Sequence, residues 1–182
     1  MSGLRTILKE IQAVVPRIDP AQLEELTNRL ALAERVFITG EGRSGFMARA
    51  FAMRLMHLGL QVYVIGETVT PSVREGDTIF AVSGSGTTAG TVRVAEQAQS
   101  VRANVLAVTT EPASPLGLLA AAVMVIPAAT KYRREGEAPT VQPLSSLFDQ
   151  VTHLALDAIC LEIATRRGVD NSAAKSAHAN TE

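Results

Sequence analysis

At 182 residues the chain is the size of one ordinary domain, long enough to bury roughly 70% of its unfolded surface and to fold without a metal or a disulfide. Hydrophobic residues make up 47% of it, aromatics 4%, and tryptophan is absent, so the core is expected to be built from Ala, Val, Leu and Ile. The net charge of -1 weighs against nucleic-acid binding, and no apolar run approaches the roughly 20 residues of a membrane span.

Residues 2–15 and 20–33 are predicted helices, with Pro16 and Pro20 punctuating the gap. In the second, Leu23, Leu26, Leu30 and Ala33 recur at helical spacing. Five apolar runs follow, at Arg35–Thr39, Gln61–Ile65, Asp77–Ser83, Asn104–Thr109 and Val123–Ile126. They are rich in Val and Ile and do not alternate with polar residues, the pattern of strands buried on both faces of a parallel sheet. Helical stretches separate them at Phe46–Leu58, Thr88–Val101 and Pro115–Ala121, and a last one runs over Ser146–Arg167. The crossover Gly66–Gly76 is too short for a long helix and is expected to hold one turn. Strand alternating with helix predicts an α/β fold, a single doubly wound five-stranded parallel sheet of flavodoxin-like order 2-1-3-4-5 with helices at the N-terminus. Residues 1–167 form the expected domain; residues 168–182, polar and rich in small side chains, are expected to be a disordered tail.

Cys160, the one cysteine, lies in an apolar helical pattern and reads as a core residue in a reducing compartment. The first residues lack the apolar core of a signal peptide, so the expected location is cytoplasmic. The helix Phe46–Leu58 is apolar on two sides: Ala48, Phe51, Leu55 and Leu58 on one, Phe46, Ala50 and Met53 with His57 on the other. A helix apolar on both sides is buried on both, which predicts a homo-oligomer with His57 near a subunit contact.

Two loops carry the chemistry. The first strand ends in Gly40-Glu41-Gly42-Arg43-Ser44-Gly45, a formal G-x-G-x-x-G with Glu67 about 20 residues on, the spacing of a dinucleotide site. Glycines and the free N–H groups of a helix start serve a monophosphate equally well. The third strand tips the choice toward a monophosphate, since it ends in Ser83-Gly84-Ser85-Gly86-Thr87-Thr88, hydroxyls spaced by glycines in a nest for a small anion. A nicotinamide site has no use for this second loop. In a 2-1-3-4-5 sheet both loops flank the switch point and face one crevice.

On these paired loops the chain resembles the sugar isomerase (SIS) domain. More narrowly, six segments in order are similar to the 6-phospho-3-hexuloisomerase family. They are Gly42-Arg43-Ser44-Gly45, Arg54-Leu55-Met56-His57-Leu58-Gly59, Gly66-Glu67-Thr68-Val69-Thr70-Pro71, Ser83-Gly84-Ser85-Gly86, Ile126-Pro127-Ala128 with Thr130-Lys131, and Gln142-Pro143 before Ser146-Leu147-Phe148. The resemblance spans about residues 1–167. It implies isomerisation of D-arabino-hex-3-ulose 6-phosphate to D-fructose 6-phosphate, in formaldehyde fixation by the ribulose monophosphate pathway, by a metal-free homotetramer without a cofactor. The family's usual Phe-Glu pair is Phe148-Asp149 here, one methylene shorter.

Moving a carbonyl from C3 to C2 needs a base at carbon, a proton donor at oxygen and an anchor for the remote phosphate. The candidate ligands of the phosphate and substrate are Gly42, Arg43, Ser44, Ser83, Gly84, Ser85, Thr87, Thr88 and Lys131, with Arg43 also suited to an enediolate. Asp149 is the candidate base, although Ser146-x-x-Asp149 also matches a capping box. His57 is the imidazole candidate and Glu67 a second carboxylate. The three histidines show no metal-ligand spacing, and Lys131, Arg133 and Arg134 read as a solvated charge run. Three rivals stay open, one of them a dinucleotide-binding module. An arabinose 5-phosphate isomerase usually appends regulatory repeats, absent here, and a non-catalytic sugar-phosphate sensor usually carries a DNA-binding region, for which residues 1–33 are too short and too acidic.

Overall fold

In the computed structural model, which describes residues 2–181, the strands are β1 (Arg35–Gly40), β2 (Gln61–Val64), β3 (Thr78–Val82), β4 (Asn104–Thr109) and β5 (Ala122–Val125). They pair in parallel, in the order β2-β1-β3-β4-β5, as the sequence predicts. Side chains alternate across the sheet. Val36, Ile38, Phe80, Val82, Leu106, Val108 and Met124 face one way, onto α1 (Gly3–Val14), α2 (Pro20–Leu32), α3 (Gly42–His57) and α6 (Ser146–Arg167). Phe37, Ile79, Ala81, Val105 and Ala107 face the other, onto α4 (Ala89–Ser100) and α5 (Pro115–Leu119). Both faces are covered, so the strands show no polar alternation. Each of the Val, Ile, Leu, Phe and Met side chains among them contributes about 1.5–3 kcal/mol on burial.

The topology opens a crevice. From β1 the chain runs through α3 to β2 on one side, then returns through residues 65–77 to β3 on the other. The carboxyl ends of β1 and β3 therefore flank the switch point, where α/β proteins hold their ligands. At the opposite end, Arg35 Nε donates to Asp77 Oδ1 at 2.8 Å and pins the starts of β1 and β3 together. A hollow of about 360 Å³ lined by Arg29, Glu34, Gly76, Thr78 and Asn104 also lies at that amino end, away from the loops.

The start of α3 and the C-terminal segment depart from expectation, whereas the short crossover does not. α3 begins at Gly42 rather than Phe46, because the glycine-rich segment is itself the helix's first turn. Its glycines let α3 come close to the sheet: a Cβ on Gly45 would lie 2.6 Å from the Gly40 carbonyl oxygen. The crossover 66–76 holds turns and no helix; Thr70 Oγ1 donates to the Val64 carbonyl at 2.6 Å and folds it back on β2. The segment expected to be disordered contains α7 (Asn171–Ser176). Gly168, at φ 63°, ends α6 in the left-handed conformation. Asp170 then starts a new turn by accepting from Ala173 N at 2.8 Å.

Candidate active site

Three chain segments meet in the crevice. The first is the start of α3. Arg43 and Ser44 sit in its opening turn, where backbone N–H groups lack intrahelical partners. The second is the loop Ser83–Thr88. Ser83 is buried; its hydroxyl lies 2.9 Å from Thr88 Oγ1 and accepts from Gly86 N at 3.2 Å. Ser85 Oγ accepts from Thr87 N at 3.2 Å and from Thr87 Oγ1 at 2.9 Å. Thr88 stands at the N-cap of α4 without capping it, so its hydroxyl belongs to this cluster. Thr110 Oγ1 donates to the Gly84 carbonyl at 2.9 Å, fixing the loop from β4.

The third segment is the start of α6. Asp149 is only 2% exposed, and its carboxyl does not turn back to cap the helix. Oδ1 accepts from Ser44 Oγ at 2.7 Å, and Oδ2 lies 3.4 Å from Arg43 Nε. The preceding Phe148 is fully buried and lies flat against Gly84, where a Cβ would come within 3.1 Å of the ring. Glu41, just before α3, places a carboxylate oxygen 1.9 Å from where a Gly90 Cβ would be. These contacts draw the two loops and Asp149 into one site. Burial pushes the Asp149 carboxyl above its ordinary pKa, partly offset by the Ser44 hydrogen bond and the Arg43 charge. A carboxyl shifted upward, beside a nest of donors, is equipped for proton transfer.

Two candidates stand apart from this cluster. Glu67, in the turn after β2, is exposed and pairs with Arg49 at 3.7 Å. His57 is the last residue of α3, thirteen residues from Ser44 and so about 20 Å along the helix. It does not lie on an open face with Phe46 and Met53, as the periodicity suggests. It is 4% exposed, with its ring stacked on His178 at 5.2 Å between centroids. Burial, then the charges of Arg54 and His178, lower its pKa, which keeps the imidazole neutral at neutral pH.

The charge run after β5 is not uniformly solvated. Arg133, with φ at 49°, donates to the carbonyls of Thr130, Leu144 and Gln142 at 2.6–2.7 Å and holds the loop together. Lys131 N donates to Ser145 Oγ at 3.2 Å, while its ammonium lies 5.1 Å from the Tyr132 ring centre. Arg134 reaches the Ser85 carbonyl at 3.4 Å. Glu10 in α1 accepts from Thr140 Oγ1, Val141 N and Gln142 Nε2 at 2.5–2.9 Å, and Gln142 in turn accepts from Gln150, beside Asp149. Glu10, Arg134 and Glu41 were not legible as site residues. Each acts across a separation in the chain that no local spacing marks.

Residues 29–156 match the SIS domain, a stretch that contains both loops and the start of α6. The chain is 40% identical over 181 residues to the 3-hexulose-6-phosphate isomerase of Mycobacterium gastri, covering all of this chain and 90% of that one. It is 36% identical over 176 residues to the Bacillus subtilis protein of the same name, covering 97% and 95%. Among solved structures, a Methanococcus jannaschii protein aligns over 100% of both chains with a TM-score of 0.86 at 29% identity. Its description infers a molecular function of 3-hexulose-6-phosphate isomerase. The chain belongs to the SIS-domain family and, within it, groups with the proteins named 3-hexulose-6-phosphate isomerase.

Proposed function

We propose that this protein interconverts D-arabino-hex-3-ulose 6-phosphate and D-fructose 6-phosphate through a cis-enediol. The observation that carries the reading is the contact between Ser44 and the buried Asp149, which supports a carboxyl suited to proton transfer at the start of α3, one of the two candidate phosphate-binding helix ends. The phosphate is held by Ser83, Ser85, Thr87 and Thr88 with the N-terminal ends of α3 and α4. Anchoring it there fixes the reacting carbons near Asp149, and such positioning is worth roughly 7–11 kcal/mol in favourable cases.

Asp149 takes the proton from C2 and returns it at C3, while the hydroxyl proton passes from O2 to O3 within the enediolate, so that no proton is gained or lost. Arg43, already beside the carboxyl, stabilises the enediolate oxygens. The neutral imidazole of His57 is too far to act in its own crevice, so it serves the site of a neighbouring copy within a homotetramer. The exposed Phe46 and Met53 of α3 and Leu154 and Leu161 of α6 offer apolar surface for that assembly. Glu67 lines the outer rim on the β2 side. The reaction belongs to formaldehyde fixation by the ribulose monophosphate pathway in the cytoplasm.

The deciding experiment mixes the protein with 3-hexulose 6-phosphate, without added metal or nicotinamide, and follows fructose 6-phosphate. Conversion supports the isomerase. Phosphate-sugar binding without conversion would instead favour a sensor.

A further inference from the structure

We propose that Arg134, stacked on Tyr132 and braced by Glu137, supplies the cationic charge that the serine loop lacks and is a substrate-binding residue for the phosphate dianion. The inference rests on the function proposed above only in taking that anion to be the phosphate of a sugar.

Charge balance in the crevice points to it. A phosphate monoester carries about -1.5 to -2 at neutral pH, and Ser83–Thr88 offers it neutral hydroxyls, N–H groups and the roughly half-charge of a helix start. Arg43 is already committed to Asp149 at 3.4 Å. The Glu41 carboxylate at the start of α4 adds a further negative charge nearby. A cation is needed from elsewhere.

The loop after β5 provides it. Of its three basic residues, Arg133 is consumed by backbone carbonyls. Arg134 pairs with no carboxylate among the described residues, and its guanidinium lies 5.0 Å from the Tyr132 ring centre. Lys131 lies at a similar distance from the same ring, so two cations are gathered on one aromatic beside the nest. Gathering like charges on one ring is unfavourable without anions nearby, and the Glu137 carboxylate, bonded to the Arg134 backbone, supplies only one. Arg134 already touches the loop, at the Ser85 carbonyl. A guanidinium has five donors in a planar fork suited to phosphate, and this contact uses one.

Glu137 sets the position. Its Oε2 accepts from Thr130 N at 2.8 Å and from Arg134 N at 3.1 Å. Its Oε1 accepts from Thr130 Oγ1 at 2.7 Å and from Thr110 Oγ1 at 3.2 Å. The single Thr110 hydroxyl proton is shared between this carboxylate and the Gly84 carbonyl. One carboxylate thus joins the backbone of Arg134 to the residue that fixes the serine loop. Glu137 is a positioning residue that acts through Arg134.

The test measures KM and kcat for 3-hexulose 6-phosphate, and calorimetric binding of fructose 6-phosphate and of inorganic phosphate. The proteins compared are wild type, Arg134→Ala, Arg134→Lys, Glu137→Gln and the double variant Arg134→Ala/Glu137→Gln. Arg134→Ala should raise KM and both dissociation constants about 10- to 100-fold with little change in kcat. Arg134→Lys keeps the charge but not the fork and should fall between. Glu137→Gln should raise KM in the same direction, and the double variant should be no worse than Arg134→Ala alone. Wild-type KM and phosphate affinity in a folded Arg134→Ala protein would overturn the binding role while leaving the isomerase standing. Effects of the two substitutions that simply add would overturn the positioning role of Glu137. A wild-type protein that binds phosphate through Arg134 but converts no hexulose phosphate would instead defeat the proposed reaction and leave this inference standing.

Discussion

Asp149 sits under opposed influences: burial disfavours its charge, while Ser44 and Arg43 favour it, and burial wins. The folded pKa therefore lies above the unfolded one. Between the two values the folded chain holds a proton that the unfolded chain has lost, so this group's contribution to stability is greatest below the unfolded pKa and fades as pH rises through the folded pKa. Asp149→Asn removes that handicap and keeps an acceptor for Ser44. Its Tm at neutral pH should equal or exceed that of wild type, with the advantage vanishing in acid, while turnover falls by about 10²–10⁴. Melting curves across pH, run beside kcat, check both halves; a variant that loses stability at neutral pH would show the carboxylate to be structural. The sequence alone leaves open how an Asp could serve where the family carries Glu. The structure brings the helix in close, since Phe148 rests on Gly84 where a Cβ would crowd the ring at 3.1 Å. That approach joins residues 64 apart in the chain, which periodicity cannot reveal.

At the level of elements, the sheet was readable because its strands obey local rules: apolar runs, helical spacing between them and glycines at the switch point. The ties that hold the loops were not, because they are long-range hydrogen bonds made by individual side chains. Glu10 is one. Burial raises its pKa, but its bonds to Thr140, Val141 and Gln142 and the Arg133 charge outweigh this and leave it lowered. A lowered pKa contributes stability above the unfolded value that is lost as pH falls through the folded one. Glu10→Gln cannot accept at both positions. Discounted for partial exposure, it should cost about 1 kcal/mol at neutral pH, a Tm loss of about 2–4 °C that shrinks as pH falls through the Glu10 range. A pH-independent loss would assign the effect to packing instead. Gly86 makes a second element-level case. At φ 65°, a Cβ there would lie 1.9 Å from Ser114 Oγ, and Ser114 caps α5 through Gly117 N at 3.2 Å. Gly86→Ala should cost about 1–2 kcal/mol for the left-handed backbone and about 1–3 kcal/mol more for overpacking, with KM raised because the serine loop shifts. Adding Ser114→Gly should recover the overpacking share in Tm and leave the backbone share.

At the scale of the whole molecule the unresolved tension is His57, whose motif matches the family while its position lies about 20 Å from Ser44 along α3. A rigid helix cannot bring its two ends to one substrate, so in the reading proposed above the imidazole at its carboxyl end works in the crevice of another subunit. Its lowered pKa suits that task, and the ring of His178 from the same chain lies against it. Subunit complementation follows. His57→Asn and Asp149→Asn proteins should each be nearly inactive alone. Co-expressed so that subunits mix, they should regain turnover, because some crevices then combine an intact Asp149 with an intact His57 from the neighbour. Activity that stays at the level of the separate variants, in assemblies shown by mass spectrometry to be mixed, would place both groups' work within one chain or remove His57 from the reaction. The Phe46 and Met53 side of α3 supplies the control. Charged substitutions there should separate the subunits and abolish turnover with Asp149, Ser44 and the serine loop untouched, an outcome that a self-contained site would not produce.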